Sequence, residues 1–584
     1  MRPRYLVTVS RDAAFIDAVQ GRVMQELPGS TVFRTSVRDG HLIVMTSGGS
    51  PIALRERGFL LGSVLKRGSA GPLSVMDEAE QDAVIATRGA WLINACWGGY
   101  VAVIADPAGS VIDIMRAPLG DLACHVVRSA EALICASDLS LLIASGFARP
   151  SLDADALARH LAADDIRRPE TCLSCVSELP GGERITFDRG SVGRQTMWSP
   201  WLFAGRDRQI DDPAEAARRL RDTAVHCVGA RAEEFGPVLL KLSGGLDSSI
   251  VAACLKASER PFSCLTLVTE DPAGDERRHA GLVTGALGMP LFERYRDASR
   301  VDSQRSAAAR LPRPTARSFA QESARLSDEI ASETGAGVIF DGGGGDNVFC
   351  SLQSVRPAAD CLMSHAGSTT FWRTAGSIAQ LAQASVWKVA ARAWKTSRRR
   401  SPDYPWPMDP RFLSPEARRV SPGATAHPWL DAPPDALPGK AAHVALITAA
   451  QSVAEGFDVQ DILPTCSPLI SQPMIEICLQ IPSWLWFEDG FNRAIARRAF
   501  SNELPAGTIG RRSKGAPDSF VAEIYQANRP EIRSMLLDGV LRELGLLDLD
   551  VLSPVLEDQS PLRGHDFLRV MQLADAEAWA RCWR

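Results

Sequence analysis

Several patterns are missing from this chain, and each absence narrows what it can be. No G-x-x-x-x-G-K-[ST] loop occurs, so phosphate binding in the manner of the kinase-type loop is excluded. None of the nine histidines stands in H-E-x-x-H spacing, which removes the zinc-helix hydrolases. No apolar run approaches the length of a bilayer span, and the apolar stretch after Met1-Arg2-Pro3-Arg4 is too short for a signal peptide. The expectation is a cytoplasmic protein with no transmembrane segment. Charge of one sign is missing too. Lys and Arg number 64 against 69 Asp and Glu, a net charge of -5, which argues against nucleic acid as a partner while leaving room for a local basic groove. The thirteen cysteines are scattered and odd in number. Only Cys172 and Cys175 stand in C-x-x-C spacing, with no second pair and no histidine nearby. The set reads as reduced core residues, not as a disulfide framework or a zinc site.

What is present is a 584-residue chain with 45% hydrophobic and 23% charged residues, an ordinary globular composition with length for more than one domain. It is organised around residues 238–249, Val-Leu-Leu-Lys-Leu-Ser-Gly-Gly-Leu-Asp-Ser-Ser. The apolar run 238–242 suits a strand covered on both faces. Gly244 and Gly245 permit a tight turn and close ligand approach. Ser248 and Ser249 can cap the apolar helix that follows. Backbone N–H groups and hydroxyls thus converge where a helix begins, which makes an anion site. An Asp inside such a site, Asp247, makes sense if it holds Mg²⁺ bridging phosphates. Ser-Gly-Gly-x-Asp-Ser between an apolar strand and an apolar helix resembles the pyrophosphate loop of enzymes that cleave ATP to AMP and pyrophosphate.

Residues 1–205 read as the first domain. Short segments at 5–9, 42–45, 59–64, 90–95, 100–105, 111–115, 133–137 and 183–187 read as strands. Turns separate them at Pro28-Gly29, Asp39-Gly40, 47–50, 107–109 and 180–182, and 153–162 reads as a helix. Many strands and few helices predict two packed sheets. Residues 198–213 read as a linker into the second domain, 206–584. There a helix at 214–235 precedes strands at 238–242, 264–268 and 338–340 that alternate with helices at 249–256, 276–287 and 319–334. This pattern predicts a doubly wound parallel sheet with ligands at the C-terminal strand ends. The third strand runs into a second glycine-rich turn, Asp341-Gly342-Gly343-Gly344-Gly345-Asp346-Asn347. On that topology Asp346 faces Asp247 across a Mg²⁺-pyrophosphate, two hard oxygen ligands completed by phosphate. Beyond 350 the pattern turns helical, at 441–455, 474–480, 491–500 and 520–528. Residues 395–440 are proline-rich and read as a long loop. Lys395 and Arg398-Arg399-Arg400 form a basic run after a Trp-containing helix at 386–394. A solvated helix end and a membrane or peptide contact both fit it.

The two Asp turns and their spacing resemble the asparagine synthetase superfamily over nearly the whole chain. Leu179-Pro180-Gly181-Gly182-Glu183 is similar to the family's Glu-Leu-Pro-Pro-Gly turn. Arg116-Ala117-Pro118-Leu119-Gly120 is similar to its Arg-Asp-x-x-Gly segment with the Asp replaced, and Gly274-Asp275-Glu276-Arg277 to its Asp-Glu helix start. Leu504-Pro505 through Arg511-Arg512-Ser513-Lys514-Gly515 is similar to the late segment whose Lys contacts phosphates during adenylation. The resemblance implies an α/β chain: a degenerate glutaminase-like (Ntn-type) β-sandwich, then a doubly wound adenylating domain with helical additions. It implies ATP and Mg²⁺ as cofactors. Asp247, Asp346 and Lys514 would be catalytic, with Asp247 and Asp346 as metal ligands. The nucleotide would contact Leu242, Ser243, Gly244, Gly245, Leu246, Asp247, Ser248, Ser249, Leu267, Gly342 and Gly343.

Departures from the family are informative. A glutaminase of this type needs a Cys directly after the initiator Met, but Arg2 stands there and the first cysteine is Cys96. No glutamine hydrolysis and no ammonia supply are expected. Gly343 replaces the family's Glu, and also the Tyr that β-lactam synthetases carry at this position in a base dyad. Room in place of a side chain implies an open acceptor pocket. Adenylation without ammonia leaves a tethered amine as acceptor, as in lasso-peptide macrolactam synthetases. The degenerate first domain, Arg511-Arg512-Ser513-Lys514-Gly515, and Ser467-Pro468-Leu469-Ile470-Ser471-Gln472-Pro473 with Glu476 and Ile481-Pro482 resemble those enzymes. That resemblance implies adenylation of an Asp or Glu side chain in a leader-cleaved precursor peptide and ring closure by its N-terminal amine. A leader peptidase and a leader-recognition protein would be partners. Two alternatives stand beside it: an amide ligase of the glutamine-independent asparagine synthetase or β-lactam synthetase kind, and a non-catalytic peptide-binding paralogue.

Overall fold

The computed structural model describes residues 3–584 apart from 28–32, 39–40, 108, 130, 165, 189, 316–317, 366–367, 421–422, 424, 459, 462, 513–517 and 559–565. Arg2, Ser513, Lys514, Gly515 and the expected turns at 28–29 and 39–40 lie outside the described residues.

Two six-stranded antiparallel sheets form the first domain. One has the order Ser177–Glu178, His125–Arg128, Ala132–Ala136, Arg4–Ser10, Leu42–Ser47, Arg34–Arg38. The other runs Ser191–Thr196, Glu183–Asp188, Val111–Arg116, Tyr100–Ala105, Gly58–Gly62, Ile52–Ala53. Strand alternation explains the layers. Tyr5, Val7 and Val9 face Val101, Val103 and Ile114 between the sheets. Leu6 faces the other way, onto helices Ala13–Glu26 and Leu139–Ala144. Both faces are covered, which is why these strands read as continuous apolar runs. One expected strand is wrong: residues 90–95 form the helix Ala90–Ala95. A six-residue apolar run does not distinguish the two by periodicity. Here Gly89, at φ +90, turns the preceding helix into a second one, and Thr87 Oγ1 accepts from Trp91 N at 3.0 Å.

The second domain carries a parallel sheet, as expected, but of five strands and not three. The order is Leu291–Tyr295, Phe262–Val268, Val238–Lys241, Val338–Phe340, Thr465–Cys466. Leu240 stands opposite Cys264 on one side and Phe340 on the other. The two unread strands are edges. One is half-exposed and charged, the other only two residues long. Helices Pro213–Phe235, Leu246–Ala257, Arg277–Leu287 and Ala320–Thr334 alternate with the strands, and helices dominate beyond 350.

A single apolar cluster joins Leu60, Ala102 and Met115 of the first domain to Leu240 and Ile250 of the second. A buried ion cluster also crosses the joint. Glu178 pairs with Arg116 at 3.1 Å, Arg167 at 2.7 Å and Arg313 at 2.6 Å, and Glu455 pairs with Arg116 at 2.8 Å. Burial alone pushes the Glu178 carboxyl up, but the three arginines outweigh it and hold it well below the usual range. Among the described residues no helix is long and apolar enough to cross a membrane. All thirteen cysteines are free, with only Cys175 and Cys582 exposed.

Candidate active site

The central strand Val238–Lys241 has sequence neighbours running outward on both sides, so the crevice between it and Val338–Phe340 is the switch point of the sheet. Both Asp turns leave the sheet there. In the first, Leu242 is buried and its N–H donates to Leu265 O at 2.8 Å. Gly244 sits at φ +66, and a Cβ would lie 2.3 Å from the backbone carbon of His279, so only glycine fits. Gly245 caps the helix Leu246–Ala257 without a capping side chain, which leaves the first-turn N–H groups to a ligand. Ser243 Oγ accepts from Gly245 N at 3.3 Å and lies 3.3 Å from Ser248 Oγ, both at the long end of hydrogen bonding. Ser249 Oγ donates to Gly245 O at 2.7 Å and is committed to the loop. Leu242 and Leu246 point into the core, so they can meet a nucleotide only through their backbone. Leu267, half-buried at the end of its strand, packs against the cluster of Leu239, Leu265 and Ile330.

In the second turn, Asp341 accepts from Gly343 N at 2.9 Å and from Ser467 Oγ at 2.7 Å, and the short helix Gly345–Val348 carries Asp346. The expectation of open space here is wrong. A Cβ on Gly343 would lie 2.8 Å from Ser467 Oγ and 2.9 Å from Asp341 Oδ1. On Gly342 it would lie 2.5 Å from Ser248 N, and on Gly345 2.5 Å from Asp247 Cβ. The run is glycine because one turn is pressed against the other, and Ser467 fills the place beside Gly343.

That interlocking brings the two carboxylates together. Arg493 Nη1 donates to Asp247 Oδ1 at 3.1 Å and Oδ2 at 3.0 Å, and also to Asp346 Oδ1. Asp247 is 6% exposed and Asp346 45%, so the pair opens outward at Asp346. Arg493 holds a left-handed backbone, φ +55, just before helix Ala494–Ala499. Arg497, one turn on, donates to Asn492 O at 3.0 Å and Arg511 O at 3.2 Å. Burial pushes its guanidinium down to about 10, and neighbouring Arg493 acts in the same direction. Arg511 in turn donates to Ser243 O at 3.3 Å and pairs with Glu276 at 2.5 Å. Asp275, beside Glu276, accepts from Arg277 and is held below the usual carboxylate range by it. Sequence reasoning misses Arg493 altogether. Its only signal is the i,i+4 spacing with Arg497 ahead of Leu504-Pro505.

Among the described residues no group of three or more His, Cys, Asp and Glu could hold a metal ion. Two carboxylates on one cationic position nevertheless fit Mg²⁺, which is commonly bound by one or two carboxylates with substrate phosphates supplying further oxygens. The arrangement joins a bare helix N-terminus, two facing carboxylates and two arginines at a strand-end crevice. It can hold a polyphosphate and neutralise charge that develops on it.

Comparisons with known proteins bear on this site. The carboxyethyl-arginine beta-lactam-synthase of Streptomyces clavuligerus is 31% identical over 175 residues, 28% of this chain and 33% of that protein. The match thus spans about a third of the relative's length. Among solved structures, the glutamine phosphoribosylpyrophosphate amidotransferase from B. subtilis complexed with ADP and GMP is 10% identical, over 50% of this chain and 81% of that one, at a TM-score of 0.20. The allosteric regulatory enzyme of purine biosynthesis gives 10%, 50% and 80%, at 0.21. Likenesses this weak carry no argument. The asparagine synthase family model matches residues 219–581, more than half of the chain and all of the site described above, and the chain belongs to that family.

Proposed function

We propose that the chain forms a macrolactam in the cytoplasm: it adenylates an Asp or Glu side chain of a leader-cleaved precursor peptide and joins it to the peptide's N-terminal amine, giving a lasso peptide. The observation that carries the adenylation step is the convergence of Asp247 and Asp346 on one cationic position beside a bare helix N-terminus. Two further features support the rest. The 31% identical relative is named for a β-lactam, a cyclic amide. The segment 467–482 resembles lasso macrolactam synthetases and ties the site to the first domain. Within it, Gln472 Nε2 donates to Ile93 O at 2.8 Å, and Glu476 pairs with Arg67 at 2.7 Å.

The chemistry follows from the residues. A carboxylate oxygen attacks the α-phosphorus of ATP, the bond to the β-phosphate bridging oxygen breaks, and pyrophosphate leaves. Ser243, Ser248 and the N–H groups at Gly244 and Gly245 cradle that pyrophosphate. Arg493 and Arg511 offset its charge, and by resemblance Lys514 contacts it too. Mg²⁺, held by Asp247 and Asp346, supplies further charge neutralisation when bound. The amine nitrogen then attacks the acyl carbon, loses a proton, and AMP leaves. Holding amine and acyl carbon in near-attack geometry is worth on the order of 7–11 kcal/mol at best. A leader peptidase and a leader-recognition protein would act before this step.

The test is mass spectrometry of a candidate core peptide with protein, leader peptidase and ATP. Loss of one water, absent when the acceptor Asp or Glu is replaced by Ala, is expected. A small-substrate ligase is the second reading, favoured by the β-lactam relative. Conversion of free aspartate and ammonia to asparagine, with no peptide dehydration, would establish it and refute the first.

A further inference from the structure

A cavity of about 760 Å³ opens between helices Thr369–Leu381 and Val386–Ser397 and the segment that leaves the second Asp turn. It is separate from the phosphate site but adjoins it. Asn492, on its wall, donates to Ser351 Oγ at 2.9 Å, and Ser351 N donates to Asp346 O at 2.8 Å. The residue after Asn492 is the bridging Arg493. The lining joins apolar, cationic and neutral polar side chains, the last being Gln353, Ser354, Thr396 and Asn492. Leu352, Ile378 and Leu381 give apolar walls. Lys388, Arg392, Lys395 and Arg399 give cations, and no described Asp or Glu lines the space. Spacings of four and three residues put the first three cations on one stripe of the helix, with Arg399 just past its end. Like charges at such spacing destabilise a helix unless something anionic meets them.

We propose that this cavity binds an acidic segment of the peptide substrate, its carboxylates meeting the stripe of Lys388, Arg392, Lys395 and Arg399 while the acceptor side chain lies at Asp346. The inference rests on the peptide reading of the function. Charge complementarity selects the occupant: four cations around apolar walls suit an anionic chain with apolar residues between its charges. A concave stripe is also wrong for a flat anionic bilayer. The exposed tryptophans of this helix are engaged elsewhere. Trp387 meets Trp372 edge-on at 5.4 Å, and Arg398 lies 4.3 Å over Trp394. They lie about a quarter-turn or more round the helix from the cationic stripe.

The test uses the full chain and a fluorescein-labelled synthetic peptide alternating Glu, Gly and Leu, with a Lys-for-Glu counterpart, read by fluorescence anisotropy. The acidic peptide binds, the basic one does not, and added salt weakens binding. Lys395→Gln with Arg399→Gln weakens it about tenfold or more and leaves ATP binding, measured by calorimetry, unchanged. No binding of the acidic peptide, or equal affinity in the double variant, overturns the proposal. So does co-sedimentation with phosphatidylserine vesicles that the same substitutions abolish, because the stripe is then a membrane contact. If these arms fail while a core peptide is still dehydrated, only the cavity assignment falls. If they succeed while no peptide is dehydrated, only the macrolactam reading falls.

Discussion

Asp247 and Asp346 close on the same guanidinium nitrogen, Arg493 Nη1, although they belong to different turns of the sheet. Two carboxylates this close repel each other unless a cation stands between them. The chain supplies one, and the glycines at 342 and 345 supply the close approach that makes it necessary.

Replacing either carboxylate by its amide keeps the size and removes the charge. Asp247→Asn and Asp346→Asn should each lower AMP formation at least about a hundredfold. Circular dichroism should be unchanged, because neither side chain carries the core. Near-wild-type turnover in either folded variant contradicts the assignment of these residues to pyrophosphate charge.

Arg493→Ala removes a cation that the two carboxylates share. The variant should lose about 1–3 kcal/mol of stability in metal-free buffer, the cost of stripping a partner from charged groups. Mg²⁺ with ATP should raise its melting temperature more than that of the wild type, by restoring a cation between the carboxylates. An equal shift in both proteins shows that Mg²⁺ does not bind where Arg493 reaches.

Gly343→Ala tests the crowding at the second turn. The new Cβ meets Ser467 Oγ and Asp341 Oδ1, so an overpacking cost of about 1–3 kcal/mol is expected. Ser467→Gly should relieve part of it, giving a coupling of about 0.5–3 kcal/mol in a double-mutant cycle. A neutral Gly343→Ala would return the position to the open pocket that the bare sequence suggests.

Buried histidines set an acid limit. Burial pushes His125 and His427 down to about 4 and His443, whose Nε2 donates to Val348 O at 2.9 Å, down to about 3. Each folded pKa is depressed, so the contribution to stability is present above the unfolded value of about 6.5 and is lost as pH falls through the folded value. Between those limits each histidine contributes a slope of about 1.4 kcal/mol per pH unit. Melting temperatures followed from pH 7 to about 4 should fall, and fall less steeply in His443→Gln. Identical slopes would contradict a neutral buried imidazole at 443.

The first Asp turn was legible as strand, turn and helix because its signals are local: Val238 to Ser249 carry strand, turn and helix start in consecutive residues. The parallel sheet was legible from its central strands. Its edges were not, since Leu291–Tyr295 is half-exposed and charged and Thr465–Cys466 derives its strand character from the neighbour alone. Arg493 was illegible because its role comes from a left-handed backbone and two distant carboxylates. Gly343 misled because a glycine reports that a Cβ is absent, not what has taken its place; Ser467 lies over a hundred residues further on.

The central claim is carboxylate activation by transfer of AMP at the Asp247–Asp346 site. It is tested most directly by labelling the acceptor side chain of a core peptide with ¹⁸O and analysing the nucleotide after turnover. Attack on the α-phosphorus predicts one ¹⁸O in the phosphate of AMP, unlabelled pyrophosphate, and loss of both products' formation in Asp247→Asn. Label in inorganic phosphate with ADP as the nucleotide product would contradict it.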